Sequence, residues 1–147
     1  MNLILILSII LATFLFMEFV AWSVHKYIMH GFLWYLHKDH HQVDKNKILQ
    51  KNDAFFLIFA IPSAILIIYG IENFSYQLYI GIGIALYGLA YFVVHEIIIH
   101  QRVKILSRID NKYIRAIRFA HKVHHKKLEK ENSDSFGMLL VSFKYFK

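Results

Sequence analysis

The chain has 147 residues, of which 57% are hydrophobic, and it contains no cysteine. This length predicts a single domain over residues 1–147, and the lack of cysteine excludes a disulfide framework, a thiolate nucleophile and a cysteine-ligated metal. The net charge of +7 is local, because all 17 lysines and arginines lie in residues 25–52 or after residue 100. We therefore expect no nucleic-acid partner.

The first element is an apolar segment, residues 2–24, which carries one charge, Glu18, and is long enough to span a bilayer. A secretory signal peptide is excluded by the missing basic region and small-residue cleavage site. Glu18 lies seven residues before His25, on the same face of a helix. An acid inside a span is either an auxiliary catalytic group or a structural acid hydrogen-bonded to a neighbouring helix, and the sequence leaves both open.

Two further apolar segments follow, residues 54–71 and residues 76–98. A polar stretch, residues 42–52, separates the first span from the second and is interpreted as a connection on the cytosolic side. In the third span, Gly81, Ala85 and Gly88 share a face that favours close helix packing. The sequence thus predicts an all-α, multi-pass membrane bundle with three clear spans.

Residues 101–134 are strongly basic and include a predicted surface helix. The tail after residue 135 is apolar but too short to span as a regular helix, so we interpret it as interfacial or re-entrant. A fourth span remains an open alternative.

All ten histidines fall in four clusters, which repeat the pattern HxxxxH followed by HxxHH. The clusters are His25 and His30; His37, His40 and His41; His95 and His100; and His121, His124 and His125. Independent surface histidines do not repeat a ligand spacing, so we interpret the set as metal ligands. The last members of the longer clusters, His41 and His125, are the ones most easily spared.

Helical geometry makes different predictions for the two patterns. A residue turns an α-helix by about 100°, so the three rings of HxxHH share one face, as convergent ligands require. The two rings of HxxxxH point about 140° apart. Such a pair either serves two neighbouring ions, or its helix bulges or ends between the rings, and Gly31 offers an end after His30.

The sequence HEIIIH at residues 95–100 is one residue longer than the HExxH motif of zinc peptidases. Five-residue spacing breaks the one-face geometry of that motif in a regular helix, which argues against a peptidase. Glu96 is either an auxiliary base or an interfacial acid. Asp39, inside the second cluster, either orients a ligand imidazole or is solvated.

The number of histidines constrains the metal content. A single catalytic zinc takes three protein ligands, so ten candidates are too many, whereas two ions with four or five imidazoles each fit the count. The absence of an obvious carboxylate bridge separates the pattern from soluble, glutamate-rich di-iron bundles.

The distribution of lysine and arginine predicts the topology in the cell membrane. The positive-inside rule places the N-terminus outside and both basic regions in the cytoplasm. The second and third spans then form a hairpin, so all four histidine clusters and the C-terminus lie on the cytoplasmic side. We expect a histidine-rich cap at that membrane surface.

Several motifs together resemble the bacterial non-haem di-iron β-carotene hydroxylases of the membrane fatty-acid hydroxylase superfamily. They are HKYIMHG (25–31), HKDHH (37–41), VVHEIIIHQR (93–102), AHKVHH (120–125) and SFG (135–137). The resemblance implies two iron ions, O2 as oxidant, an external electron donor such as a ferredoxin, and hydroxylation of β-ionone rings at C3. β-Carotene would pass through β-cryptoxanthin to zeaxanthin. Members of that family are often drawn with four spans, whereas three are clear here.

Two other functions remain as alternatives. One is a related membrane oxidase, a hydroxylase or desaturase, acting on fatty acyl chains or sterols. The other is a non-enzymatic metal- or haem-binding membrane protein. For a membrane-dissolved substrate we expect entry sideways between helices, with Tyr91 and Phe92 as wall residues near the histidines. The basic face suits an acidic ferredoxin and anionic lipid headgroups alike.

Overall fold

The computed structural model describes residues 1–42, 49–131 and 133–146, so residues 43–48 of the predicted polar connection lie outside the described part of the chain. Across these ranges the chain forms helices and irregular segments, with no strand. The helices are α1 (Leu3–Ser23), α2 (Trp34–His41), α3 (Phe56–Ile71), α4 (Tyr76–Tyr91) and α5 (Lys112–His125). Two π-helical segments, π1 (Val24–Phe32) and π2 (Phe92–Ile99), continue α1 and α4, and 3₁₀ turns cover Lys51–Phe55 and Phe143–Tyr145.

Three continuous helices are long and apolar enough to cross a bilayer, namely Leu3–Phe32, Lys51–Ile71 and Tyr76–Ile99. Only 11%, 17% and 22% of their most apolar windows are buried inside the molecule, so most of their apolar side chains face outward, as lipid-exposed helices do. The prediction of an all-α bundle with three spans is confirmed. Within the described residues there is no fourth such helix.

Helix α4 lies at the centre of the bundle and packs against both α1 and α3. Glycines allow the close approach on two of its sides. A Cβ at Gly81 would lie 2.9 Å from the carbonyl oxygen of Ser63 in α3, and one at Gly83 would lie 2.7 Å from Cβ of Thr13 in α1. Side-chain atoms at either glycine would therefore separate the helices.

The predicted small-residue face of this helix is only partly correct. Gly81 makes a helix contact, but Ala85 is exposed and a Cβ at Gly88 would meet nothing within 4 Å. A single face cannot serve two neighbouring helices, so the second contact uses Gly83, two residues further on, which the spacing did not indicate.

All four histidine clusters come together at one end of the bundle. The first span ends there, α3 begins there, and α4 returns to it after the turn at residues 72–75. Helix α2 packs on π1 and on the first 3₁₀ turn, while α5 packs on π2. The Asn111 side chain caps α5 by accepting the Ile114 N–H at 2.9 Å. This arrangement forms the histidine-rich cap.

Replacement of Gly83 by valine should separate α1 from α4 and lower the free energy of unfolding by about 1–3 kcal/mol, the usual range for overpacking. Gly88→Ala is the matched control, because the space around that position is open. Thermal unfolding of both variants in detergent checks the expectation. Equal unfolding temperatures for the two variants would contradict it.

Candidate metal centre

The HxxxxH pairs lie on π-helical turns, which brings their rings together. The His100 N–H donates to the His95 carbonyl oxygen at 2.9 Å, the five-residue hydrogen bond of a π-helix, in which residues five apart lie one above the other. Ring centroids are 4.5 Å apart for His95 and His100, and 5.2 Å apart for His25 and His30. For the HxxxxH pairs the sequence left open two neighbouring ions, a bulged helix or a helix end, and the structure shows the bulged helix.

This geometry also corrects the argument about HEIIIH. The π turn gives His95 and His100 the one-face arrangement that a regular helix would deny them, so spacing alone does not distinguish the motif from a peptidase site. In the first pair, the backbone leaves the helical conformation at Gly31 (φ −104°, ψ −123°), directly after His30, where the sequence allowed an end.

The histidines form two groups in which one ring nitrogen from each residue lies within 4.8 Å of all the others. The first group is His25, His30, His37, His41 and His124. The second group is His40, His95, His100 and His121.

Each HxxHH cluster divides between the two groups, although the sequence predicted that its rings would converge on one ion. In α2, His37 and His41 belong to the first group and His40 belongs to the second. In α5, His124 belongs to the first group and His121 to the second. A shared helix face about 100° wide is broad enough to contact two adjacent sites.

His41 and His125, which the sequence indicated as the least necessary metal ligands, lie in different positions relative to the two groups. His41 belongs to the first group. His125 lies outside both groups as defined, but its ring stacks on His41 at 4.5 Å and contacts His121 at 4.5 Å and His40 at 4.7 Å.

Every imidazole of the first group donates its Nδ1 hydrogen to an oxygen atom. The bonds run from His25 to the Phe136 carbonyl (3.0 Å), His30 to the Lys130 carbonyl (3.0 Å), His37 to Asn52 Oδ1 (2.6 Å), His41 to the Lys127 carbonyl (2.8 Å) and His124 to the Asp134 carbonyl (2.9 Å). Because a carbonyl oxygen can only accept, these rings carry their hydrogen on Nδ1. A lone pair on each Nε2 is left for a ligand.

These lone pairs face one another. Nε2 of His25 lies 3.1 Å from Nε2 of His37, and Nε2 of His30 lies 3.2 Å from Nε2 of His124. With both hydrogens already on Nδ1, no hydrogen bond joins either pair, and only a cation between the lone pairs makes the contact favourable. Two imidazole nitrogens about 2.1 Å from one ion at a right angle are about 3.0 Å apart. The first group therefore fits a metal ion.

The second group also has closely spaced ring nitrogens, but the hydrogen-bond acceptors of its imidazoles are side chains. Nε2 of His100 lies 2.8 Å from Nε2 of His121. His40 donates from Nδ1 to Gln50 Oε1 at 3.0 Å, and His95 donates to Glu96 Oε1 at 2.5 Å. Within the part of the chain that the structure describes, the buried Nε2 atoms of His40, His41 and His125 have no hydrogen-bond partner. Orphaned imidazole nitrogens in a buried cluster are the donor set of a metal site.

Burial also keeps three rings outside the spans uncharged. Desolvation lowers the pKa of His41 to about 4 and the pKa values of His100 and His124 to about 3. Neutral imidazole is the form that binds metal, so the ligands are ready at neutral pH. The free energy of unfolding should fall as the pH drops below about 6.5, because the unfolded chain then binds protons that the buried rings do not.

Glu18 is buried and anchors the tail. Its Oε1 accepts the backbone N–H groups of Met138, Leu139 and Leu140, each at 2.9 Å, and its Oε2 accepts the Tyr87 hydroxyl at 2.7 Å. These bonds match the structural alternative, an acid bonded to a neighbouring helix, and they add a contact with the tail that the sequence did not indicate. Among the described residues, none of its hydrogen bonds goes to a histidine.

The tail that Glu18 holds supports the first group. Phe136 accepts the Nδ1 hydrogen of His25, and its ring packs on His30 at 5.1 Å and on His124 at 5.2 Å. Gly137 follows in a tight turn, where a Cβ would lie 2.5 Å from the Leu140 carbonyl oxygen. The tail, for which the sequence left an interfacial and a re-entrant segment open, is irregular up to the 3₁₀ turn Phe143–Tyr145 and meets α1 at Glu18.

The two other acids have defined partners. Glu96 accepts from His95 and forms an ion pair with Arg102 at 2.8 Å, so its carboxylate lies beside a histidine of the second group. Asp39 Oδ2 accepts the backbone N–H of Lys51 at 2.5 Å and bonds to no described imidazole.

An apolar cavity of about 420 Å³ lies between the spans, and His25 forms part of its wall. The predicted wall residues Tyr91 and Phe92 both line it, and so does Gly88. Phe56 and Phe92 line the cavity and are also exposed on the outside of the bundle. These two side chains are therefore shared between the cavity wall and the outer surface of the bundle.

The fold and the two histidine groups define a helical membrane metalloprotein. Comparison with known proteins gives the family: residues 10–144 match the fatty acid hydroxylase model, and the chain belongs to that family of iron-dependent hydroxylating enzymes. No solved structure matches the chain.

Curated relatives refine the comparison. A β-carotene hydroxylase from Paracoccus sp. (strain N81106 / MBIC 01143) is 38% identical over 132 residues, which cover 89% of this chain and 81% of the relative. The Pantoea ananas β-carotene hydroxylase is 37% identical, with 89% and 74% covered. Chloroplastic β-carotene hydroxylase 2 from Capsicum annuum is 34% identical, with 84% and 41% covered.

Replacement of Glu18 by leucine should release the tail and lower metal retention by the first group. Three backbone N–H groups would lose their acceptor, and for the buried one, that of Met138, the cost is about 1–3 kcal/mol. Glu18→Gln keeps an oxygen for those N–H groups and should retain most of the metal. Metal analysis and thermal unfolding of both variants check this, and equal metal loss from both would contradict the anchoring role.

Proposed function

We propose that the chain hydroxylates the β-ionone rings of β-carotene at C3 and gives zeaxanthin through β-cryptoxanthin. The observation that carries the proposal is the apolar cavity, which is lined by residues of the spans and has His25 in its wall. β-Carotene is a hydrocarbon dissolved in the bilayer, so a site reached sideways from the lipid suits it. Similarity to β-carotene hydroxylases over most of both chains supports the same substrate.

The proposed cofactors are two iron ions, one for each histidine group. Five imidazoles are available to the first ion and four to the second, with His125 beside both. Bound iron would supply the redox chemistry that reduces O2 and oxidises an unactivated ring C–H bond. In the balanced reaction, one O2, two electrons and two protons convert that C–H bond into C–OH and release one water molecule.

The protein's own part is to bind, orient and exclude water. The aromatic wall of the cavity, which includes Phe55, Tyr91 and Phe92, would hold a ring and the start of the polyene. Nδ1 hydrogen bonds fix the ligand imidazoles, so little reorganisation is needed during the reaction. Glu18 and Glu96 are proposed as auxiliary groups that act through the tail and through His95.

The electrons require an external donor, for which we propose a ferredoxin-like protein. Helix α5 and the residues after it expose a set of cations, namely Lys112, Arg115, Lys122, Lys126 and Lys127. An acidic donor would be attracted to this face. Anionic lipid headgroups would interact with the same charges.

A membrane enzyme acting on fatty acyl chains or sterols is the alternative function, favoured by the description of the matching family. A carrier of metal or haem fits less well, because a carrier places polar ligands through the span. The histidines here gather at one end of the bundle.

We place the chain in the cell membrane with the histidine-rich cap in the cytoplasm. Reporter fusions at residue 46 and after the last residue should report a cytoplasmic location, and a fusion at residue 73 should report the outside. The physical reason is the confinement of lysine and arginine to residues 25–52 and those after 100. Opposite locations for the first two fusions would contradict a shared metal site.

Metal analysis with Mössbauer spectroscopy on anaerobically prepared protein should find two iron ions per chain. One metal per chain, or tightly bound zinc in active protein, would disprove the two-iron proposal.

Alanine at His37, His40, His121 or His124 should abolish turnover while the protein still inserts, because insertion depends on the apolar spans. Normal product from a variant would remove that residue from the ligands.

Expression in a β-carotene-producing host should yield β-cryptoxanthin early and zeaxanthin late, because the substrate has two equivalent ends. Leucine at Gly88 extends into the cavity and should lower this conversion by about 10²-fold through misplacement of the ring, with iron content unchanged. Gly88→Ala should have the smaller effect. Untouched β-carotene together with hydroxylated, labelled fatty acids would favour the acyl-chain alternative.

A further inference from the structure

Ligand histidines of the cap use two kinds of hydrogen-bond acceptor. Four imidazoles of the first group use backbone carbonyls within residues 127–136. Three other imidazoles use side chains, and the pairs are His37 with Asn52, His40 with Gln50, and His95 with Glu96. A side-chain acceptor can be replaced without changing the backbone, so these three contacts can be tested individually.

We propose that Gln50 and Asn52 are positioning residues, one for each histidine group, carried by one turn of the chain. Asn52 Oδ1 accepts from His37 in the first group at 2.6 Å, and Gln50 Oε1 accepts from His40 in the second at 3.0 Å. Each bond keeps the hydrogen on Nδ1 and leaves Nε2 free for its group. The inference rests on the proposed use of the two groups as two metal sites.

The placement of His37 and His40 explains how one turn reaches both groups. They lie three residues apart on α2 and face different groups, while the 3₁₀ turn Lys51–Phe55 packs alongside α2. His37 and His40 are each 1% exposed and Asn52 is 7% exposed. The His37–Asn52 bond is therefore shielded from water, and solvent would not replace a lost acceptor there. Gln50 is half-buried, and its bond with His40 is part-buried.

The turn is itself fixed to the helix whose histidines it orients. Asp39, between the two histidines in sequence, accepts the backbone N–H of Lys51 at 2.5 Å and that of Asn52 at 3.3 Å. Asp53 accepts the N–H of Gln50 at 2.9 Å. Asp39 thus acts one step behind the imidazoles, by holding the residues that bond to them.

A chain of charges extends the influence of the turn to a second ligand. Arg102 Nη1 donates to Asp53 Oδ1 at 3.1 Å, and Arg102 Nε lies 2.8 Å from Glu96 Oε2. Glu96 in turn accepts from His95. Both His40 and His95 of the second group are therefore connected to this short segment.

The test uses the full chain, purified in detergent without oxygen and titrated with cobalt(II) as the probe ion against a graded chelator. The d–d absorption bands of bound cobalt report each equivalent without any need for turnover. Asn52→Leu and Gln50→Leu should each lower the affinity of one equivalent by about 10–100-fold and leave the other unchanged. The double variant should weaken both.

Matched variants separate positioning from general stability. Asn52→Asp and Gln50→Glu keep an acceptor oxygen and should restore the lost affinity. Lys51→Ala, at the exposed position between them, should leave both affinities unchanged. Thermal unfolding of the metal-free proteins should give similar midpoints for the leucine and carboxylate variants.

Four results would overturn the inference. Wild-type affinity for both equivalents in the leucine variants would exclude a positioning role. Equal weakening of both equivalents by each single variant, or no restoration by the carboxylates, would show that the turn acts only through overall stability. A wild-type chain that binds one equivalent would contradict the proposed two-ion site, and with it the assignment of one residue to each group.

Discussion

The cap depends on where ten crowded imidazoles keep their hydrogens. Rings whose centroids lie about 5 Å apart cannot all bear a charge, and a hydrogen directed inward would block a ligand nitrogen. The first group solves this with an outward Nδ1–H on every ring. Each needs an oxygen acceptor, and this requirement brings the tail and the turn at residues 51–55 against the end of a bundle of otherwise apolar helices.

The arrangement of the histidines depends secondly on the π-helical ends of the first and third spans. The same spacing, HxxxxH, ends the first and third spans, and both ends adopt π geometry over Val24–Phe32 and Phe92–Ile99. Inserting one residue into a helical turn rotates the next histidine onto the face of the previous one. A histidine pair in this geometry therefore has a closer ring contact than α-helical spacing of five would give.

Much of the fold could be predicted from the sequence, because hydropathy identifies the spans, and the histidine pattern predicted which residues come together in the cap. The division of the histidines into two groups could not be predicted, since it depends on the π turns and on the packing of α2 on π1 and of α5 on π2, which local spacing does not contain. The spacing did not indicate Gly83, because α4 packs against two helices and uses a different face for each. Glu18 was singled out by its depth in the first span, but its partners at residues 138–140 lie about 120 positions away.

The polar stretch after α2 is a further case in which the sequence did not predict the contacts of individual residues. By composition it resembles a solvated connection, yet Gln50 and Asn52 turn inward to histidines of both groups. Their role depends on a tertiary contact between the turn and the helix that precedes it. Composition describes the average environment of a segment, whereas a buried hydrogen bond depends on one atom of one residue.

The position of the backbone acceptors has a consequence for biogenesis. The carbonyls that bond to His25, His30, His41 and His124 belong to residues 127–136, which follow all three spans in the chain. Until that segment has been synthesised and has packed against the cap, four rings of the first group lack the bonds that fix their hydrogens. The first histidine group can therefore reach its final arrangement only after the sequence of all three spans has been synthesised.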